Sequence, residues 1–215
     1  MSEVVISRLG RVPRESFAHP RRIAALPTSS FPNGITFDAA GNLYVADSNL
    51  GVIWRMTHGS ARAAVWSESP LLAPTGASFM NFSLPGANGI KVRGNLVYVS
   101  NTATQNMLTI PIQSDGEAGK VATRFTGIQA DDVAFAANGD LYITENPLSS
   151  LVRVTPDGEI TTLATQVDGL ENPSAVAFDP RPHRRTDLYV TNSAYFGTRP
   201  SLEMTTSDTI GQRLP

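Results

Sequence analysis

Between Gly34 and Val45 apolar and polar positions alternate in two short runs. Ile35 and Phe37 come first, then a turn at Ala39-Ala40-Gly41-Asn42, then Leu43-Tyr44-Val45. A period of two over a few residues is the pattern of a half-buried strand, and a Gly-Asn step between two such runs predicts a hairpin. The phrase returns three times. "ANGIKVRGNLVYVSN" begins at Ala87, "ADDVAFAANGDLYITEN" at Ala130 and "NPSAVAFDPRPHRRTDLYVTN" at Asn172. In the third copy Val133 and Phe135 precede the turn Asn138-Gly139, and Leu141-Tyr142-Ile143 follow it. With Gly34, Gly89, Asp132 and Ser174 taken as equivalent, the copies lie 55, 43 and 42 residues apart. Strand repeats at about this spacing predict an all-β chain folded as a β-propeller, with one four-stranded blade per repeat.

Outer strands follow each hairpin: Val52–Met56, Met107–Ile112, and a further hairpin over Leu151–Ala164 that turns at Pro156-Asp157-Gly158. Arg21–Pro27, "RRIAALP", reads as an outer strand of a preceding blade, so about four to five blades are expected in one domain over 1–215. The longest spacing carries an insertion, Ser69–Gly86, rich in Pro, Gly and aromatic residues. It reads as a surface connector, or, through Phe79 and Phe82, as a lid or pocket wall.

Composition narrows the function classes. With 17 glycines and 15 prolines the chain is rich in turns, and 41% apolar with 17% charged residues is ordinary for a globular protein. A formal charge of -2 offers no footprint for nucleic acid. No apolar run is long enough to span a bilayer as a helix, so no membrane partner is expected. The absence of cysteine excludes disulfides, thiolate metal sites and a cysteine nucleophile. Met1–Phe17 lacks the apolar stretch of a targeting signal, so the chain as given reads as cytoplasmic, with export of a longer parent left open. His19, His58 and His183 are scattered through apparent loops and read as surface histidines, and Arg181–Arg185 reads as a solvated turn.

Antiparallel pairing brings the start of each blade's first strand beside the end of its second. The starts carry Asn33, Asn88, Asp131 and Ser174, and the ends carry Asp47, Asn101, Glu145 and Asn192. All eight are expected on one face around the propeller axis, with the strands as scaffold and the varied heads as the site for a small molecule. Side-chain capping of turns is the competing account of the four strand ends, and Asn-Gly turn formation of Asn33 and Asn88. The adjacent carboxylates Asp131 and Asp132 would repel unless one faces a cation or water.

The run from Pro32 to Asp47, followed by "ANGIK" and "ADDVAF", resembles the senescence-marker-protein/gluconolactonase/luciferin-regenerating-enzyme family. That resemblance covers about Ala24 to Pro215 and implies a six-bladed template with a divalent cation in the central channel. It further implies metal-dependent hydrolysis of a sugar lactone, a carboxylic-ester hydrolase activity. Asn88 and Asp131 match the family's metal ligands, with Ca²⁺ or Mg²⁺ as the ion and Zn²⁺ as a further candidate. Asp131 also matches the family's general base, and Asp132, where the family usually has Gly, is the alternative acceptor of that proton. Asn33 matches a substrate contact, and Glu145 and Asn101 are candidate substrate contacts from the strand ends. The family's N-terminal Glu ligand has no counterpart, and about two blades are absent ahead of Arg21. The domain is therefore expected to be incomplete at its N-terminus, with open blade faces that self-associate. Two readings from other classes stay open. One is a non-catalytic propeller that serves as a binding scaffold. The other is a propeller recruited as a cyclase or lyase, with a channel walled by Phe79, Phe82 and Trp54.

Overall fold

The computed structural model describes residues 3–5 and 21–213. Most of the N-terminal stretch read for a targeting signal lies outside the described residues, as do His19 and the closing Leu214-Pro215. The described residues form a β-propeller of four blades. Strands β1 (Glu3–Val5) and β2 (Arg22–Ala25) pair as a short ribbon. The first blade is β3 (Pro32–Phe37), β4 (Leu43–Asp47), β5 (Val52–Met56) and β6 (Ala64–Glu68), paired in chain order. The insertion then forms a two-residue hairpin, β7 (Ser78–Phe79) with β8 (Phe82–Ser83). The second blade is β9 (Ala87–Arg93), β10 (Leu96–Asn101), β11 (Asn106–Pro111) and β12 (Ala122–Thr126). The third is β13 (Val133–Phe135), β14 (Leu141–Glu145), β15 (Ser150–Val154) and β16 (Ile160–Ala164).

The fourth blade has three strands where four were expected: β17 (Pro173–Phe178), β18 (Asp187–Asn192) and β19 (Ser201–Thr206). After β19 the chain leaves the blade and runs under the third one. Gly211 bridges Ala136 there, and Gln212 N donates to Phe135 O at 2.8 Å.

Blades stack face to face because side chains alternate along every strand. Tyr44, Ile53 and Trp66 of the first blade pack on Ile90, Val97, Val99 and Leu108 of the second. The other face of the second blade gives Met107 and Tyr98 to a core with Phe135, Leu141 and Val152. Tyr142 and Leu151 then meet Val176, Leu188 and Val190. Strands β4 and β14 are buried along their whole length, since both faces are covered. Leu43, Val45, Trp54 and Met56 are covered by Leu26, Ile23 and Ala24 around β2.

The hairpin turns are the ones the pattern expected. Asp38 closes the first, accepting from Asn42 N at 2.9 Å, Asn42 Nδ2 at 2.8 Å and Tyr44 OH at 3.0 Å, with Gly41 at φ 81°. His58 and His183 are exposed. The glycines after Asn33 and Asn88 do something other than turn. Both sit in extended strands where the next blade's inner strand passes close by. A Cβ on Gly34 would lie 2.5 Å from Asn88 O and 2.9 Å from Ile90 N, and one on Gly89 would collide with Asp131 O. The Asn-Gly steps are therefore contact points between blades.

Candidate functional site

The four strand heads meet. Asn33, Asn88, Asp131 and Ser174 all line one cavity of about 550 Å³ at the end of the inner strands where those strands begin. Asn88 is buried and donates through Nδ2 to Asp131 Oδ1 at 2.8 Å and to Thr102 Oγ1 at 3.0 Å. Thr102 in turn donates to Ala130 O at 2.7 Å. The Asp131 backbone is pinned as well, its N–H donating to Thr144 O at 2.7 Å and its carbonyl accepting from Ser100 Oγ at 3.0 Å. Burial pushes the Asp131 carboxyl up to about 7, against the bond from Asn88, and the nearby Asp132 charge adds to the rise. Asp131 is the only charged residue on this wall among the described residues.

The strand ends Asp47, Asn101, Glu145 and Asn192 are absent from the wall. Their side chains fasten loops instead. Asp47 is fully buried and accepts from Phe31 N, Asn49 N, Leu50 N and Trp54 Nε1 at 2.9–3.2 Å. Burial works against its charge, but the donors Trp54, Leu50 and Phe31 hold it below the usual carboxylate range. Asn101 donates to Leu71 O and Ala73 O, Glu145 accepts from Gln129 N and Ser150 Oγ, and Asn192 accepts from Glu171 N. Capping, the competing account of these four, is what their contacts describe. Glu145→Ala should therefore lower stability by about 2 kcal/mol, with two donors left unpaired, and leave ligand affinity unchanged. Chemical denaturation and a binding titration on the same variant check both halves, and a large affinity loss at full stability would return Glu145 to the site.

The polar ring continues one residue further on. Ser48, Thr102, Asn146 and Ser193 follow the four strand ends. Thr102 and Asn146 line the cavity, while Ser48 Oγ accepts from Asn33 Nδ2 at 3.3 Å and donates to Ala87 O at 2.8 Å. The reason is alternation: consecutive side chains on an extended strand point to opposite faces. The sequence signal was a small hydroxyl or amide residue repeated after each strand end.

Alternation also separates the two carboxylates. Asp132, expected beside Asp131 as an alternative base, does not line the cavity. Its Oδ1 pairs with Lys91 Nζ at 2.8 Å, and Oδ2 accepts from Val176 N at 3.4 Å. The cation that one of the two carboxylates faces is thus a lysine of the neighbouring blade, in the "ANGIK" phrase, which the sequence reading passed over.

The insertion proves to be a wall. Met80 and Asn81 turn it with φ 46° and 67°, which sets Phe79 opposite Phe82 across the hairpin. Both rings lean on Phe196, at centroid distances of 5.4 and 5.3 Å. Phe31 and Tyr195 complete an aromatic rim that sequence reading missed, because Phe196 and Tyr195 follow β18, far from the insertion in the chain. Trp54, expected in this wall, lies in the core and donates to Asp47.

A second cavity of about 530 Å³ opens where the inner strands end, near Thr36, Val92, Phe135 and Phe178. Three of its charged groups are engaged by protein, Lys91 by Asp132, Asp179 by Arg181 and Arg185 by Gly211 O, while Arg213 is exposed.

No protein-family model and no curated protein matches the chain. Solved structures do match. A calcium-binding protein, regucalcin, from Agrobacterium tumefaciens aligns with TM-score 0.67 at 16% identity, over 92% of this chain and 69% of its own. A luciferin-regenerating enzyme aligns with TM-score 0.62 at 14% identity, over 86% of this chain and 64% of its own. A gluconolactonase of Xanthomonas campestris aligns with TM-score 0.63 at 12% identity, over 88% and 62%. The chain thus has the fold of these proteins and spans about two thirds of their length.

Proposed function

We propose that this four-blade unit carries the reaction centre of a divalent-metal-dependent lactone hydrolase. The observation that carries the reading is the Asn88–Asp131 pair on the cavity wall, with a carboxyl held near 7. A general base works best when its pKa lies near the working pH. The gluconolactonase and regucalcin folds of the structural neighbours support the same reaction class and the same kind of cofactor.

The donor set has the right chemical type for a hard cation. Asn88 engages protein through its Nδ2, which leaves Oδ1 for a ligand, and Asp131 Oδ2 has no protein donor among the described residues. These two side chains would hold the ion, as oxygen donors that suit Ca²⁺ or Mg²⁺. No cluster of three or more acidic, His or Cys side chains is poised for a metal among the described residues, so affinity is expected to be weak. When bound, a divalent cation supplies Lewis-acid polarisation of the carbonyl oxygen.

The chain's own residues do the rest. Asp131 Oδ2 accepts a proton from water, and the hydroxide that forms adds to the lactone carbonyl carbon. The ring C–O bond then breaks as the carbonyl re-forms, and the departing alkoxide takes the proton from Asp131. One water is consumed, and a hydroxy acid is released. Asn88 is a positioning residue, its Nδ2 holding Oδ1 so that Oδ2 faces the cavity.

A proton-release assay on a lactone panel, in chelator and then in Ca²⁺ or Mg²⁺, tests the proposal. Cation-dependent turnover that disappears in Asp131→Ala is the expected result. Calorimetry supplies a readout independent of activity, with Ca²⁺ or Mg²⁺ binding weakened in Asn88→Ala and Asp131→Ala. No turnover with any lactone in either cation would remove the hydrolase reading and leave the binding scaffold in front.

A further inference from the structure

The cavity joins an aromatic rim to a polar wall. Five of its lining side chains are aromatic: Phe31, Phe79, Phe82, Tyr195 and Phe196. Phe31, Phe82 and Tyr195 are 54%, 63% and 69% exposed and leave apolar surface in water at this mouth, as Val167 and Leu202 do elsewhere. Such a patch around a concavity is the mark of a surface that waits for an apolar partner. Several donors on the wall are engaged by protein, while the exposed hydroxyls of Ser83 and Tyr195 have no protein partner among the described residues. Asn146 Nδ2 is held by Asn172 O at 3.0 Å and Ser193 Oγ at 3.3 Å, and Ser174 Oγ is paired with Thr191 Oγ1 at 3.1 Å. Asn88 and Thr102 donate to each other's neighbourhood as described above, so what faces the cavity is chiefly acceptor oxygen. No lysine, arginine or histidine lines it among the described residues.

Each of these features acts on ligand choice. A polyhydroxylated ring would set several of its hydroxyls against the phenyl groups of the rim, which offer them no partner, and an unpaired polar group in such a place is costly. An anionic substrate would find no cationic side chain on the wall, and a cation held there is already offset in part by Asp131. A flat apolar ring would stack on the aromatic rim and place one carbonyl beside Asp131. Resting on the hydrolytic reading of the site, we infer that its substrate is a neutral lactone or ester on an apolar, ring-bearing body, and not a sugar lactone.

Binding and turnover are measured separately to keep the two readings apart. The probes are 3,4-dihydroquinolin-2-one, a bicyclic lactam that mimics dihydrocoumarin, and the lactam of gluconic acid. The bicyclic lactam is expected to bind at least about tenfold tighter than the sugar lactam. The Phe79→Ala/Phe82→Ala double variant should weaken it about tenfold, the scale of two lost aromatic contacts. Phe82→Leu, which keeps the apolar wall, should retain most of the affinity. Tighter binding of the sugar lactam, undiminished affinity in the double variant, or no binding of the bicyclic lactam would each overturn the inference. If the bicyclic lactam binds as expected while neither dihydrocoumarin nor glucono-δ-lactone is hydrolysed, the apolar ligand class stands and the hydrolase reading falls. If glucono-δ-lactone is turned over with the higher kcat/KM and its lactam binds tighter, hydrolysis stands and the apolar class falls.

Discussion

Asp131→Asn is expected to lower lactone turnover by about 10²–10⁴-fold, the range that a positioned general base supplies, and to raise the thermal stability of the metal-free protein at neutral pH. The two effects have one cause. Burial favours the protonated form of Asp131, so the folded chain keeps this proton up to about 7 whereas the unfolded chain releases it near 3.8. Between those values the folded state binds more protons, so wild-type stability falls as pH rises through the window. Asparagine carries no charge at any of these values and can still accept from Asn88. The melting temperatures of variant and wild type should therefore diverge from about pH 4 upward and run parallel above about pH 7. Wild-type turnover should rise with pH to a midpoint at or below about 7, because a bound cation would favour the ionised form. Melting curves in chelator at several pH values, with proton-release rates alongside, check both. A variant that keeps turnover within a factor of two would remove Asp131 from the chemistry; parallel melting curves throughout would show that its carboxyl titrates normally.

Gly89→Ala should damage fold and site together. The new Cβ would collide with Asp131 O and lie 2.9 Å from Asp132 Cα, both backbone atoms of the neighbouring blade. Neither can rotate away, since Asp131 N–H is bonded to Thr144 O and its carbonyl accepts from Ser100 Oγ. Overpacking typically costs 1–3 kcal/mol, and here the obstacle is main chain, so about 3 kcal/mol is expected. In a domain of this size that lowers the melting temperature by ~6–12 °C. Asp131 would shift with its own backbone, so turnover should fall even at temperatures where the variant stays folded. Thermal melts and rates at 15–20 °C below the variant's midpoint separate the two losses. A variant that melts within about 2 °C of wild type would mean the blades can part here without strain. Gly34→Ala faces Asn88 O in the same way and should behave alike.

Such positions show where sequence reading stops. Gly89 and Gly34 read as halves of Asn-Gly turns, because Asn-Gly is a local turn signal and nothing local announces a passing strand. Their true constraint comes from another blade, 40 to 55 residues away in the chain. Asp131 and Asp132 both read as candidates for the general base for the same reason. Which one faces the cavity depends on strand direction and on Lys91 across the blade gap.

What the repeated phrase determined was the architecture: hairpins with their turns at Gly41 and Gly139, four blades, and the gathering of Asn33, Asn88, Asp131 and Ser174 at one end. Those follow from period-two patterning and from antiparallel pairing, which are local rules repeated at a fixed interval. The one-residue offset that takes Glu145 and Asn101 out of the cavity, and puts Asn146 and Thr102 in, came only with the strands' facing. The aromatic rim likewise needed the fold, since Phe79, Phe82 and Phe196 meet only because the propeller bends its chain around a common axis.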